Sequence, residues 1–360
     1  MKRPITDSKR LNLVRMFDEF ARQEGISFSD EEANNNFVEQ VAAALGKHRQ
    51  TPTVMHGFRA QTMFAYVAAA LGGCRIITEE DSGDIFTDDA ALRRPDFRIL
   101  TADGLEIFVE VKNFDQRDCT SKKFKQTLDY VDSLRRYATA FGKPLYFAIY
   151  WSRWQLWTLT PENCFAVSGT SCSLELTEAV KTDELRILGD CHIGVTKPLA
   201  LRFYTDASKP RSVDADGHVE YTVERAAYLA GGKEVTDKFE QKLAWFFLNY
   251  GRWHQIERLP KIENGELLSM DFSGIVEDLE PIQEEVLQDF VMIGRLSQMI
   301  SKQFDFLTTE NGEVLRLSPQ VEPEKLGVLI PKEHCGDVLG IWRFYQWSAL
   351  AESKRQAAEL

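Results

Sequence analysis

Apolar residues recur at helical spacing through the first seventy positions and then give way to strand-like runs. Residues 7–24 and 30–45 predict two helices, the first opened by Asp7 or Ser8 and the second by Ser29 or Asp30 and stopped at Gly46. Phe37, Val38, Val41, Ala42 and Leu45 give the second helix a single apolar face. A Thr-Pro linker at 51–53 separates it from a third helical pattern, which runs from Phe58 through Phe64, Val67, Ala68 and Leu71 to the stop Gly72-Gly73. The words VAAALG at 41–46 and 67–72 are identical and read as two alanine-rich packing faces.

The period then changes. Cys74–Thr78 is a short β-branched run, followed by an acidic loop, Pro95, and a strand from Asp96 to about Thr101. Ala102-Asp103-Gly104 turns the chain into LEIFVEVK, a second strand ending at Lys112. A helix is predicted from about Ser121 to Phe141, with Phe124, Leu128, Val131 and Ala138 on one face and Gly142 at its end. PLYFAIYW is apolar almost throughout, as in a strand covered on both faces, and Ser152-Arg153 turns it into WQLWTL.

This order predicts an α/β core in which helices flank a mixed sheet. Beyond residue 165, helical patterns near 236–250, 282–304 and 337–356 alternate with strand-like runs near 198–204, 267–276, 313–318 and 326–330, an α+β domain of underived topology. The expected division is an N-terminal helical segment (1–54), a core domain (55–165) and a C-terminal domain (166–360).

Composition supports this division. The 360 residues, 44% hydrophobic, suffice for two domains, and no run approaches the length of a membrane span, so a soluble cytoplasmic protein without membrane partners is expected. The six cysteines contain no CxxC pair and signal neither zinc nor a disulfide framework. The net charge of -12 is unevenly placed: residues 1–160 are balanced, and residues 161–360 hold 21 basic against 33 acidic side chains. The first half can therefore meet phosphates through a local basic face, whereas the acidic half suits a protein partner better.

The chemistry concentrates on the hairpin. Glu110 and Lys112 lie two apart on one strand and leave the same face, and Asp96 at the start of the neighbouring strand can bring its carboxylate beside Glu110. Two converging carboxylates call for a cation between them, and Mg2+ or Mn2+ suits oxygen ligands. The triplet alone proves little, because [DE]-x-K also occurs at Asp7–Lys9, Glu240–Lys242 and Glu352–Lys354. Only Glu110–Lys112 lies in a strand-like run preceded by Pro-Asp. A solvated charged hairpin with a surface ion pair is the alternative.

With Pro95-Asp96, Glu110-Val111-Lys112 and then Gln126 to Tyr130 in this order, residues 55–160 resemble the PD-(D/E)XK nuclease superfamily, in the neighbourhood of archaeal Holliday-junction resolvases and RecB-like nucleases. The resemblance implies a restriction-endonuclease-like fold for the core and a metal-dependent DNA endonuclease activity. It implies that Asp96, Glu110 and the Val111 carbonyl bind the metal and that Lys112 is the catalytic lysine. Gln126 and Tyr130 resemble the QxxxY motif and would share one helix face toward the site or the DNA. Where related resolvases carry a glutamate on the helix before the first strand, this chain has Gln61. Either the site works with fewer acids, or Glu39, Glu79, Glu80, Asp81 or Asp84 supplies the missing one.

Phosphate contacts are expected from Lys122, Lys123 and Lys125, which crowd the predicted first turn of the helix at 121–141 against its dipole, and from Arg59, Arg93 and Arg94. Trp151, Trp154 and Trp157 read as core and sheet-edge packing rather than base-stacking platforms. A role in restriction, antiphage defence or DNA repair is the expected setting, with a homodimer permitted. The rival function is a catalytically weak nuclease-fold protein serving as a binding or assembly module.

Overall fold

The computed structural model describes residues 1, 13–27, 29–30, 32–49, 51–80, 85–115, 123–214, 216–276, 289–311, 313–326, 330–331 and 334–348. Helix α1 (Leu13–Glu24) packs Phe17, Phe20 and Ala21 against Ala33 and Phe37 of α2 (Glu32–Arg49). Contrary to expectation, α2 passes through Gly46. Lys47, His48 and Arg49 fill its last turn, where cations favour the helix dipole. The break falls instead at Thr51, held extended before Pro52, the first residue of α3 (Pro52–Leu71). The supposed linker at 51–53 is thus the start of a helix.

At its other end α3 stops at Gly72, whose φ of 80° is left-handed. Gly73 then lies so close to the backbone of Leu188 that a Cβ there would sit 2.2 Å from it, which lets the helix end dock on the 185–189 turn.

The central sheet contains β1 (Cys74–Glu79), β2 (Phe97–Thr101), β3 (Glu106–Phe114), β5 (Leu145–Trp151) and β6 (Leu156–Pro161), in the order β1-β2-β3-β5-β6. The pair β3–β5 is parallel and the others are antiparallel, so the sheet is mixed. Helix α4 (Leu128–Ala140) makes the crossover from β3 to β5. Successive residues of β3 face opposite ways. Ile107, Val109 and Val111 join Met63, Phe64 and Val67 of α3 in one cluster, and Phe108 joins Val131, Leu134 and Tyr137 of α4 in another. Together these elements form a mixed α/β fold with helices on both faces of the sheet.

The helix expected from about Ser121 begins only at Leu128. Residues 116–122 lie outside the described residues, and Phe124–Thr127 is a strand, β4. It pairs with β8 (Ser171–Leu174), which also pairs with β7 (Ala166–Ser168). Phe124 fits both a helix face and a strand, and the deciding partner lies nearly fifty residues away in sequence.

In the second half, α5 (Leu176–Lys181), α6 (Lys238–Tyr250) and α7 (Leu296–Thr308) accompany β9 (His192–Thr196), β10 (Leu199–Thr205) and further strands. The strands Val223–Ala230 and Glu266–Ile275 flank β10. The predicted helix at 282–304 is a strand over Phe290–Arg295 followed by α7, with 282–288 outside the described residues. The predicted helix at 337–356 is corrected too. Ile341–Phe344 is a strand on β9, and 349–360 lie outside the description. Strand structure at 313–318 covers only Glu313–Val314; of the run expected at 326–330, Leu326 ends a short turn and 327–329 lie outside the described residues.

The hydrophobic core runs across residue 165. Tyr66 meets Phe304 with ring centroids 5.8 Å apart, and the buried Trp157 indole donates to Ser301 Oγ at 3.1 Å. Asp183 accepts from the Leu159 amide at 2.8 Å and pairs with Arg295, which also binds Asp190. No helix among the described residues is long and apolar enough to cross a membrane.

Candidate active site

The β2–β3 register brings the two acids face to face. Phe97 pairs with Val109, and one further step sets Asp96 opposite Glu110. Thr101 and Leu105 form a hydrogen-bonded position, since the Thr101 amide donates to Leu105 O at 2.8 Å. Alternation along the ladder then makes 96/110 a non-hydrogen-bonded position, where opposed side chains lie closest. The next position opposes Pro95 to Val111, and proline has no N–H to offer the Val111 carbonyl. The ladder opens there. The Val111 amide donates instead to Asp96 Oδ2 at 2.6 Å.

Both acids are buried, Asp96 at 7% and Glu110 at 3% exposure. Gln61 reaches in from α3, its Nε2 donating to Asp96 Oδ1 at 2.7 Å. Gln61 therefore holds Asp96 in position. On the other side, Lys112 Nζ donates to Glu110 Oε1 at 2.6 Å and to the Tyr130 hydroxyl at 2.8 Å. The Tyr130 hydroxyl itself donates to the same Glu110 oxygen. Burial alone would lower the Lys112 pKa, but the Glu110 carboxylate and the Tyr130 oxygen outweigh it and hold the ammonium above its usual range. The Tyr130 phenol is pushed up by burial and by the Glu110 charge, against Lys112.

Tyr130 is fixed from below by Thr127, the N-cap of α4, whose hydroxyl accepts from the Tyr130 amide at 3.3 Å. The Arg93 guanidinium lies over the Tyr130 ring, 5.4 Å from its centroid, and is exposed at the mouth of the site. Sequence pattern gave Arg93 little prominence. Its place two residues before Pro95 was the available signal.

Other expected participants fall elsewhere. Gln126 is on β4, not on a helix, so it shares no helix face with Tyr130, which lies in the first turn of α4. Lys122 lies outside the described residues; Lys123 pairs with Glu175 at 2.6 Å; and Lys125 is exposed on β4. Neither described lysine opposes a helix dipole. Arg59 turns away from solvent to pair with Asp305 of α7 and donate to Thr308 Oγ1 at 3.1 Å, a structural contact rather than an open phosphate site.

Among candidates for an additional acid, Asp81 and Asp84 lie outside the described residues, and Glu39 and Glu79 are exposed. The Glu80 amide donates to Asp96 O at 2.9 Å, while its carboxylate accepts from the Tyr137 hydroxyl at 2.7 Å. Burial and that carboxylate push the Tyr137 phenol up to about 12.

The donor set fits a hard divalent cation, since Asp96, Glu110 and the Val111 carbonyl offer oxygen only. The burial of two opposed carboxylates is the arrangement such an ion relieves.

No protein-family model and no curated protein matches the chain. Among solved structures, it is similar to Hjc of Archaeoglobus fulgidus, a Holliday junction resolvase from an archaeal hyperthermophile. The identity is 16%, the match covers 30% of this chain and 82% of that chain, and the TM-score is 0.23.

Proposed function

We propose that the chain is a magnesium-dependent DNA endonuclease that hydrolyses phosphodiester bonds at the fork between β2 and β3. The observation that carries this reading is the opposition of two buried carboxylates, Asp96 and Glu110, at the point where Pro95 ends the ladder, with Lys112 held against one of them. Asp96, Glu110 and the Val111 carbonyl hold the ion, Mg2+ or Mn2+. When bound, it polarises the phosphoryl group and lowers the pKa of water.

The chain's own residues do the rest. Gln61 and the Val111 amide fix both Asp96 oxygens, so the carboxylate is preorganised. Lys112 supplies positive charge and a donor to the phosphoryl oxygens as negative charge builds there. Tyr130 sets the position of Lys112 and screens it from competing partners. Arg93, at the mouth, meets a backbone phosphate.

A second reading, a nuclease fold serving as a binding module, is favoured by one observation: Gln61 supplies an amide beside Asp96 where a further acid would add to metal binding. Metal titration by calorimetry, together with cleavage of linear and branched DNA, separates the two. The nuclease binds Mg2+ through Asp96 and Glu110 and cleaves. A module that neither binds the ion nor cuts contradicts the proposal.

A further inference from the structure

A second cavity, about 420 Å³, opens beside the turn that joins β5 to β6 and is walled by β9, the end of α6 and the first turns of α7. Its lining contains Arg153, Arg252 and Lys302 and not one carboxylate, although most of it comes from residues 161–360, which carry the whole acidic excess. Arg295 also borders it, but Asp183 and Asp190 behind the wall already engage that guanidinium. The Arg252 side chain has no ion pair among the described residues, and Lys302 Nζ has only the Gly251 carbonyl, at 3.4 Å.

Two like charges held together without an acid between them are unfavourable unless an anion joins them. Burial, and then the Arg252 charge, depress the Lys302 ammonium. His192 on the same wall is depressed by burial and by Arg295. The backbone is also shaped for this cavity. The strand Phe290–Arg295 bulges between Met292 and Gly294, and Gly294 takes a φ of 108° against the Arg252 Cβ. Trp154, expected as sheet-edge packing, is 47% exposed and borders the same space, an indole of the kind on which a base stacks.

We propose that this cavity binds a nucleotide unit, its phosphate between Arg252 and Lys302 and its base against Trp154. The unit comes from a nucleic-acid strand or from a free nucleotide. A neighbouring cavity of about 390 Å³ shares Gln155 with this one and runs along α3 to Asn113, on the sheet face opposite to Lys112, so a strand is favoured over a free nucleotide by the nuclease reading alone. The choice of a strand rests on the nuclease reading; the anion site itself does not.

The test uses the full chain and two probes, a short fluorescein-labelled single strand and adenosine monophosphate. The Arg252→Ala/Lys302→Ala variant is expected to lose roughly tenfold in strand affinity at low salt, with the salt slope flattened by about 0.7 units for the one phosphate no longer neutralised. Lys233→Ala, an exposed residue outside both sites, is expected to keep both properties. In the wild-type protein, acetylation of Lys302, followed by mass spectrometry, is expected to slow several-fold when either probe is bound, a readout independent of variant folding.

Loss of monophosphate binding with unchanged strand binding assigns the site to a free nucleotide. Unchanged binding of both probes by the double variant, or Lys302 acetylation indifferent to both, overturns the proposal. Probe binding in a protein that never cleaves DNA removes the nuclease reading and leaves this site standing.

Discussion

At the scale of single residues, the site depends on which partner each buried polar atom meets. Gln61 Nε2 meets Asp96 Oδ1, and exchanging that amide for a carboxylate sets acid against acid. Gln61→Glu is expected to cost about 1–3 kcal/mol of stability in chelator and to show a larger Mg2+-induced rise in Tm than wild type. Glu39→Ala, on the exposed face of α2, should leave metal affinity unchanged. Equal Mg2+ responses in Gln61→Glu and wild type would show that Gln61 is not beside the metal. Tyr130→Phe removes a hydroxyl that bridges Lys112 and Glu110. Roughly a tenfold fall in cleavage rate is expected, the size of one hydrogen bond of about 1.4 kcal/mol, with Lys112→Ala falling further. A Tyr130→Phe protein that cleaved as fast as wild type would leave the tyrosine a packing role alone.

At the scale of elements, the hairpin was legible because its signal is local: alternation along LEIFVEVK, a tight turn, and a proline that marks where pairing ends. The stretch 124–127 was not, because β4 exists by pairing with β8, and helical spacing of apolar residues extends into it by coincidence. The misplaced start of α4 misled two inferences, a basic first turn and a shared Gln126–Tyr130 face. The same cause hid the strand Ile341–Phe344, whose partner β9 lies some hundred and fifty residues earlier. The β4 assignment makes a prediction that the helical one does not. Lys125 is exposed, whereas Lys123 is engaged by Glu175. Lys125→Glu should flatten the salt dependence of DNA binding by about one unit and Lys123→Glu by less. Salt titrations in which the two variants match would contradict that ranking.

At the scale of the whole molecule, the core and the second half behave as one packing unit. Trp157 is fully buried against Ser301, the Leu159 amide is satisfied by Asp183, and Arg59 needs Asp305. A fragment ending at residue 165 would expose the α3 and β6 surfaces that α7 covers. It is expected to show no cooperative thermal transition by circular dichroism, whereas a stable, cooperative fragment would establish an independent core. Arg295 sits between two buried carboxylates, so Arg295→Met should destabilise the chain by about 3–5 kcal/mol, the cost of stranding buried charge. The second half thus supports the site mechanically as well as carrying the cationic cavity. The central claim, that the β2–β3 fork hydrolyses DNA, is tested most directly by incubating purified wild type and Lys112→Ala with four-way-junction and plasmid DNA across a Mg2+ titration. The account predicts Mg2+-dependent strand cleavage by wild type and a loss of roughly a hundredfold or more in a folded Lys112→Ala protein; cleavage by that variant at the wild-type rate would contradict it.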